Sequence, residues 1–419
     1  MNLSDIKEQA RTLFLTGVRA ADPALAVKQA LEAEPIERAS QGRLIIIAFG
    51  KAACAMMEQA LQHVPQGQSV DAVAVTNYEN ARDVDGARVL ASGHPLPDEN
   101  GLKAGIEVKR MLETASSDDT VLCLISGGGS ALLPTPRKGL SLDDKILVSK
   151  ILLSEGLDIA QMNAVRQNLS VLKGGGLSAM AHPAKVRSLI ISDVVGDDIS
   201  AIASGPTAPA MDSFGDTARL LKQRNIWTKL PPAAQILLAE PRIPTSIKSD
   251  NTIICSNLQS LRAIADAAPE WSPQIIQAPL VGDVRQAAQN IVEYARVQPI
   301  QAPQLLIWGG ETTVTLTGTG RGGRNQELTV RVAALAAELP GRWVFLSGGT
   351  DGRDGPTDAA GGVVTAGSLA RAQANNLNVI AALRDNDSYR ILDAAEGLLI
   401  TGATGTNVAD IQLLFRVQD

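Results

Sequence analysis

Cysteine is scarce. Cys54, Cys123 and Cys255 lie far apart and form no CxxC pair. Their spacing excludes a disulfide framework or a zinc ribbon and fits a reducing cytosol. Aromatics are scarcer still for a chain of 419 residues: four Trp, three Tyr and five Phe are too few for stacking platforms that read single-stranded bases. There is no basic block, and the net charge is −6, so neither a nucleic-acid backbone nor an anionic membrane surface is an expected partner. No run reaches 18 apolar residues, so no transmembrane helix is expected. The opening MNLSDIKEQARTLF carries acids and lacks the apolar segment of a signal peptide. The three histidines, His63, His94 and His182, form no HxxxH or HExxH motif and no visible Ser-His-Asp set, which removes zinc hydrolysis and acyl transfer. These absences predict a soluble, cytoplasmic protein.

Hydrophobic residues make up 45% and charged residues 20%, enough for a sizeable core, and the length suggests two domains. Helices open the chain. Ser4 is a candidate cap for the first, with Ile6, Ala10, Leu13 and Phe14 on one face. Asp22-Pro23 reads as N-cap and first residue of the second. Unbroken apolar strands then alternate with helices, at 43–49, 71–78, 120–126 and 186–192, and this predicts an α/β fold with a parallel sheet covered on both faces. A Pro-rich polar stretch near 230–247 places a boundary at about residue 245, giving domains 1–245 and 246–419. The strand-then-helix rhythm resumes beyond it, with strands expected at 304–309, 312–317 and 343–347. No fixed-period repeat is present.

The 37 glycines cluster at predicted strand ends, where open α/β sheets bind ligands. Ser126, Gly127, Gly128, Gly129 and Ser130 lie between a strand and a predicted helix. Three consecutive glycines exceed what a turn needs, and their N–H groups can converge on an anion. Lys51 follows FG at the start of a helix, where its charge opposes the helix dipole unless an anionic substrate sits there; the plain alternative is a solvated lysine. The 318–323 segment, GTGRGG, matches GxGxxG, the dinucleotide fingerprint, and keeps an oxidoreductase in view. However, Arg321 and Arg324 crowd it with charge, and no acidic residue ends the next strand. The loop reads better as a phosphate clamp.

The acidic candidates are Asp193, Asp197, Asp198, Glu311, Glu327, Asp351, Asp354 and Asp358. Asp193 and Glu311 sit just past predicted strand ends, where a base or a Mg²⁺ ligand belongs, and Mg²⁺ needs only one or two carboxylates beside substrate phosphates. The alternative is that several of them cap turns. His94 lies in a stiff loop from which it can touch a ligand, and ASGPT at 203–207 is either a ligand wall or a turn. Anion loops, one Lys, two Arg and scattered carboxylates fit phosphoryl transfer.

FGKAA at 49–53, GHPLPD at 93–98, SGGGSA at 126–131, SDVVGD at 192–197 and ASGPT at 203–207 occur in that order. GGETTV at 309–314, GGRNQE at 322–327, GGTDGRDGPTD at 348–358 and TGTN at 404–407 follow. The set resembles the glycerate 2-kinase family with a C-terminal MOFRL domain, over nearly the whole chain. The resemblance implies a Rossmann-like N-terminal domain, a C-terminal α/β domain of MOFRL type and an active site in the cleft between them. It implies phosphorylation of D-glycerate at the 2-hydroxyl with ATP and Mg²⁺, with Lys51 and Arg324 as the catalytic pair. On the combined reading Asp193 is the first candidate for general base or metal ligand, with Glu311 and Asp351 as rivals. The 126–130 loop would hold nucleotide phosphates, and Arg321, His94, Glu311 and Asp351 would bind substrate. Some family members carry a hydroxypyruvate reductase label, so NAD(P)H-dependent reduction is the alternative activity; a non-catalytic binding protein is a third. The oligomeric state is left open, a homodimer being compatible.

Overall fold

Residues 44–49 are apolar at every position and buried on both faces, and they form the centre of a six-stranded parallel sheet. The computed structural model describes residues 2–38, 41–210, 214–240, 249–299 and 303–418. The first of two compact units spans Pro23–Cys255. Its strands are β1 (Leu44–Phe49), β2 (Val70–Asn77), β3 (Arg88–Ser92), β4 (Thr120–Ile125), β5 (Lys185–Ile191) and β6 (Asp250–Cys255), in the order β3-β2-β1-β4-β5-β6. This is the doubly wound order, and the winding reverses between β1 and β4.

Ile45, Ile47 and Phe49 pack with Val108, Met111 and Leu112 of helix Glu99–Glu113 and Leu177 of helix Gly176–Ala181. Helix Ala53–Leu61 packs on β1 and β2, and helix Pro23–Ala33 beside it. Asp22-Pro23 does begin a helix, with Pro23 as its first residue. Four helices, Leu142–Ser154, Ile159–Asn168, Phe214–Gln223 and Pro232–Ala239, build a separate apolar cluster around Leu152, Val165, Leu221 and Leu238. That helical lobe supplies one wall of the site described below.

The second unit comprises residues 1–22 and 256–419. Helix Leu3–Ala20 therefore belongs with the C-terminal half of the chain. Its Ile6, Leu13 and Phe14 are buried with Ile264, Leu346 and Ile411, because a one-sided apolar helix goes where a sheet face is open. Residue 245, the expected boundary, lies outside the described residues; the chain passes between units at 255–256. The cap of the first helix is Asn2, not Ser4: Asn2 accepts from the Asp5 N–H at 2.9 Å.

The second sheet is mixed. Its strands are β7 (Pro273–Ile275), β8 (Leu280–Asp283), β9 (Gln304–Thr313), β10 (Arg342–Gly349), β11 (Gly361–Thr365), β12 (Leu398–Leu399) and β13 (Asp410–Val417). The order is β12-β11-β10-β13-β9-β7, with β8 also paired to β9. The pairings from β12 through to β9 are antiparallel, while β7 and β8 run parallel to β9. The two strands expected at 304–309 and 312–317 are one, ending at Thr313, so Glu311 lies within a strand and not just past its end. The intervening glycines do not break it: a side chain at Gly310 would collide with the Leu280 backbone of β8, which pairs there.

Candidate active site

Lys51 and the 126–130 loop leave the carboxyl ends of β1 and β4, the two strands between which the winding reverses. In this sheet order that crevice is where ligands bind. The two segments are tied together: Lys51 N donates to Gly127 O at 2.9 Å, and Ala52 N donates to Ser126 Oγ at 3.1 Å. Gly128 lies at φ 84°, a conformation that glycine adopts without a Cβ penalty. A side chain there would press on His94 and Lys51, and one at Gly127 would collide with the Asp193 carboxylate. Lys51, His94, the glycine loop and Asp193 thus converge.

The helix after this loop, Gly129–Leu132, is a single turn, so the expected dipole contribution is minor and the backbone groups themselves matter. Among the hydrogen bonds of the described residues, none uses the N–H of Gly127, Gly128 or Gly129. Burial lifts the Asp193 carboxyl above its usual range, with the Lys51 charge opposing, and burial beside Lys51 lowers His94.

The 203–207 loop backs this centre. Ala203 and Ser204 have φ of 49° and 61°, uncommon for residues with side chains and costing about 1–3 kcal/mol each. The strain places Ser204 Oγ 3.1 Å from Ser130 Oγ and 3.0 Å from Asn163 Oδ1. Lys173 Nζ donates to Ser130 O and Oγ at 2.9 and 2.8 Å. A cavity of about 390 Å³ opens next to Gly128 and Ser130, lined also by His94, Lys145, Arg166 and Lys173.

In the second unit Arg324 begins helix Arg324–Leu335, where its charge opposes the dipole. Two carboxylates compensate. Fully buried Asp410 accepts from Nε at 2.7 Å and from Nη2 at 2.9 Å, and Glu311 Oε1 lies 3.1 Å from Nη1. These acids, opposing the effect of burial, hold the guanidinium pKa above its ordinary value. Asp354 caps the helix by accepting from the N–H groups of Asn325 and Gln326, and burial raises its carboxyl to about 6.

Arg321 points elsewhere, lying over the Tyr389 ring and 3.6 Å from Asp358. Asp351 closes its own turn on Arg353 N, and Asp198 does the same on Ser200. Buried Glu327 pairs with Arg331 and accepts from Asn386.

The 318–323 loop differs from the 126–130 loop in its first four residues, whose N–H groups are all occupied. Gly318 donates to Asn386, Thr319 and Gly320 to Asp385, and Arg321 to Asp387. Side chains at Gly318 or Gly320 would collide with that same segment. These glycines serve close approach within the protein, and the first turn of the fingerprint is committed to the 385–387 segment.

Residues 9–239 match the model of a domain of unknown function (DUF4147), and residues 304–410 match the MOFRL family. A glycerate 2-kinase of Pyrococcus horikoshii is 37% identical over 97% of this chain and 96% of its own. The chain belongs to the glycerate 2-kinase family. A crystal structure of glycerate kinase from Thermotoga maritima superposes with a TM-score of 0.89 at 33% identity, covering 99% of this chain and 100% of that one. A provisionally named hydroxypyruvate reductase of Agrobacterium vitis is 40% identical over 89% of this chain and 99% of its own.

For a glycerate 2-kinase family member the donor set is suited to a nucleotide and its metal. Gly127–Gly129 N–H groups beside Lys51 match phosphate oxygens. Among the described residues no three His, Cys, Asp or Glu gather as a metal site. A magnesium ion would be held by one or two carboxylates with nucleotide phosphates, and Asp193, lying over Gly127, fits that description better than Glu311, already engaged by Arg324.

Sequence reasoning missed Asp410, Lys145, Arg166 and Lys173. Lys173 had a visible signal, since it precedes a second glycine triplet, Gly174, Gly175 and Gly176, whose first two N–H groups bond to Ser204 and Gly205. Among the described residues no helix is long and apolar enough to cross a membrane.

Proposed function

We propose that this chain transfers the terminal phosphoryl group of ATP to the 2-hydroxyl of D-glycerate, giving 2-phosphoglycerate and ADP. The observation that carries the reading is the contrast between two glycine loops. The N–H groups of Gly127–Gly129 are available beside Lys51 at the winding reversal, while those of residues 318–321, the first turn of the GxGxxG match, are occupied. A dinucleotide-dependent reductase needs the second; a kinase needs the first.

Phosphoryl transfer asks a protein chiefly for positioning and charge stabilisation. In this proposal the 126–130 loop grips phosphate oxygens, and Lys51 and Arg324 neutralise charge on the transferred group. Asp193, its carboxyl raised by burial, takes the proton from the 2-hydroxyl. His94, kept neutral at physiological pH by burial and Lys51, offers a hydrogen bond to substrate. A bound magnesium ion would supply charge neutralisation at the phosphates. Glu311 acts through Arg324, whose orientation it shares with Asp410. The three cysteines are buried and no disulfide joins them, which supports a cytoplasmic setting.

Product identification tests the reading. With MgATP and D-glycerate, phosphorus-31 NMR should show the 2-phosphate ester growing as ADP appears. A 3-phosphate ester, or no ester, contradicts it.

A further inference from the structure

The cavity beside the 126–130 loop is lined by Lys145, Lys150, Arg166 and Lys173 and by no carboxylate. Lys145 and Lys173 are 6% and 3% exposed, and Arg166 is half-buried. Among the described residues Lys145 has a carbonyl, Pro134 O, as its hydrogen-bond partner, and Arg166 reaches Asn163 Oδ1 at 3.5 Å. Burying the like charges of Lys145 and Arg166 side by side is unfavourable, and a bound polyanion reverses the sign of that interaction. Burial, with Arg166 adding to it, pushes the Lys145 ammonium down to about 7.

The rim is of opposite character. Leu96 and Leu153, from separate segments, are 57% and 69% exposed and line the same cavity, beside Pro95, Pro97 and Ile146. D-Glycerate has one charge and no apolar part, so it matches neither the cationic floor nor the aliphatic rim. A nucleoside triphosphate has both features. We infer that this cavity is the nucleotide subsite: the base lies against Leu96 and Leu153, and the phosphates lie on Lys145, Arg166 and Lys173, reaching Gly128 and Ser130. The inference rests on the kinase reading and adds to it where the nucleotide sits.

The test compares Lys145→Met, Arg166→Met and Leu153→Glu, the last at an exposed position where folding is unaffected. Calorimetry with the magnesium complex of β,γ-imido-ATP reads nucleotide affinity without turnover; steady-state kinetics read each KM. The expected result is a weakening of nucleotide binding by about tenfold or more in each variant, with the KM for D-glycerate unchanged. Unchanged nucleotide affinity in Leu153→Glu and in whichever cation variant keeps the wild-type melting temperature overturns the assignment. So does a rise confined to the D-glycerate KM, which would make the cavity a carboxylate subsite. A wild-type protein that neither binds the analogue nor turns over ATP defeats the kinase reading itself, a result distinct from both.

Discussion

Asp410 grips Arg324 through two parallel hydrogen bonds, 2.7 and 2.9 Å long, from a position with no solvent exposure. Removing Arg324 therefore does two things. On the proposed mechanism it takes charge from the transferred phosphoryl group, and it leaves a carboxylate buried without its partner. Arg324→Ala should lower turnover on the order of 10³-fold. It should also destabilise the fold by roughly 3 kcal/mol at neutral pH. Adding Asp410→Asn should restore most of the stability and none of the activity. If the double variant regains turnover, Arg324 is structural only.

Lys51 lies at the winding reversal with its backbone tied to Gly127, and its side chain has no role in that tie. Lys51→Ala should lose on the order of 10³-fold in kcat while the melting temperature stays within about 2 °C of wild type. A large drop in melting temperature with retained kcat would make the lysine a packing residue.

Asp354 gives a signed dependence on pH. Its folded carboxyl is raised to about 6, above the ordinary 3.8, so between those values the folded state binds more protons than the unfolded state. The stability attached to this group is present below about pH 4 and is lost as pH rises to 6. Asp354→Asn should flatten that fall, gaining on wild type by about 3 kcal/mol between pH 4 and 7. Denaturant titrations at the two pH values measure it; parallel wild-type and variant curves contradict it.

Lys145, with its ammonium lowered to about 7, gives a second dependence on pH. A bound phosphate group favours the charged form, so nucleotide binding near pH 8 should take up a proton and weaken as pH rises from 7 to 9. Calorimetry in buffers of different ionisation enthalpy reads the proton directly. No proton linkage would place the phosphates away from Lys145.

Gly320→Ala should destabilise the second unit without exposing a cofactor defect, because the new methyl meets Asp385 and Asp387. A loss of NADH binding in this variant, with the fold intact, would revive the dinucleotide reading.

Much of the first unit was legible because its strands are apolar runs ending in glycine loops, and a parallel sheet needs no long-range register to be recognised. Lys51, Ser126–Ser130 and Asp193 follow β1, β4 and β5, so the rule about strand ends finds them. The second unit was harder. Its mixed sheet pairs β9 with β13 about a hundred residues later, and the Asp410 partner of Arg324 arrives through that pairing. The GxGxxG match is hard to read for a related reason: Gly318, Gly320 and Gly322 answer to the 385–388 segment, which local sequence does not reveal. Lys145 and Arg166 sit on helices Leu142–Ser154 and Ile159–Asn168, whose sequences mark no clear buried face, so a lysine or arginine there reads as solvated until the opposing wall is known.

The central claim is tested most directly by one split assay on purified protein. One half supplies D-glycerate and MgATP, coupled through enolase, pyruvate kinase and lactate dehydrogenase, which respond to 2-phosphoglycerate. The other supplies hydroxypyruvate with NADH or NADPH and no coupling enzymes. Nicotinamide oxidation in the first half alone is the predicted result; oxidation in the second half alone would contradict the account and return the 318–323 loop to the role of cofactor site.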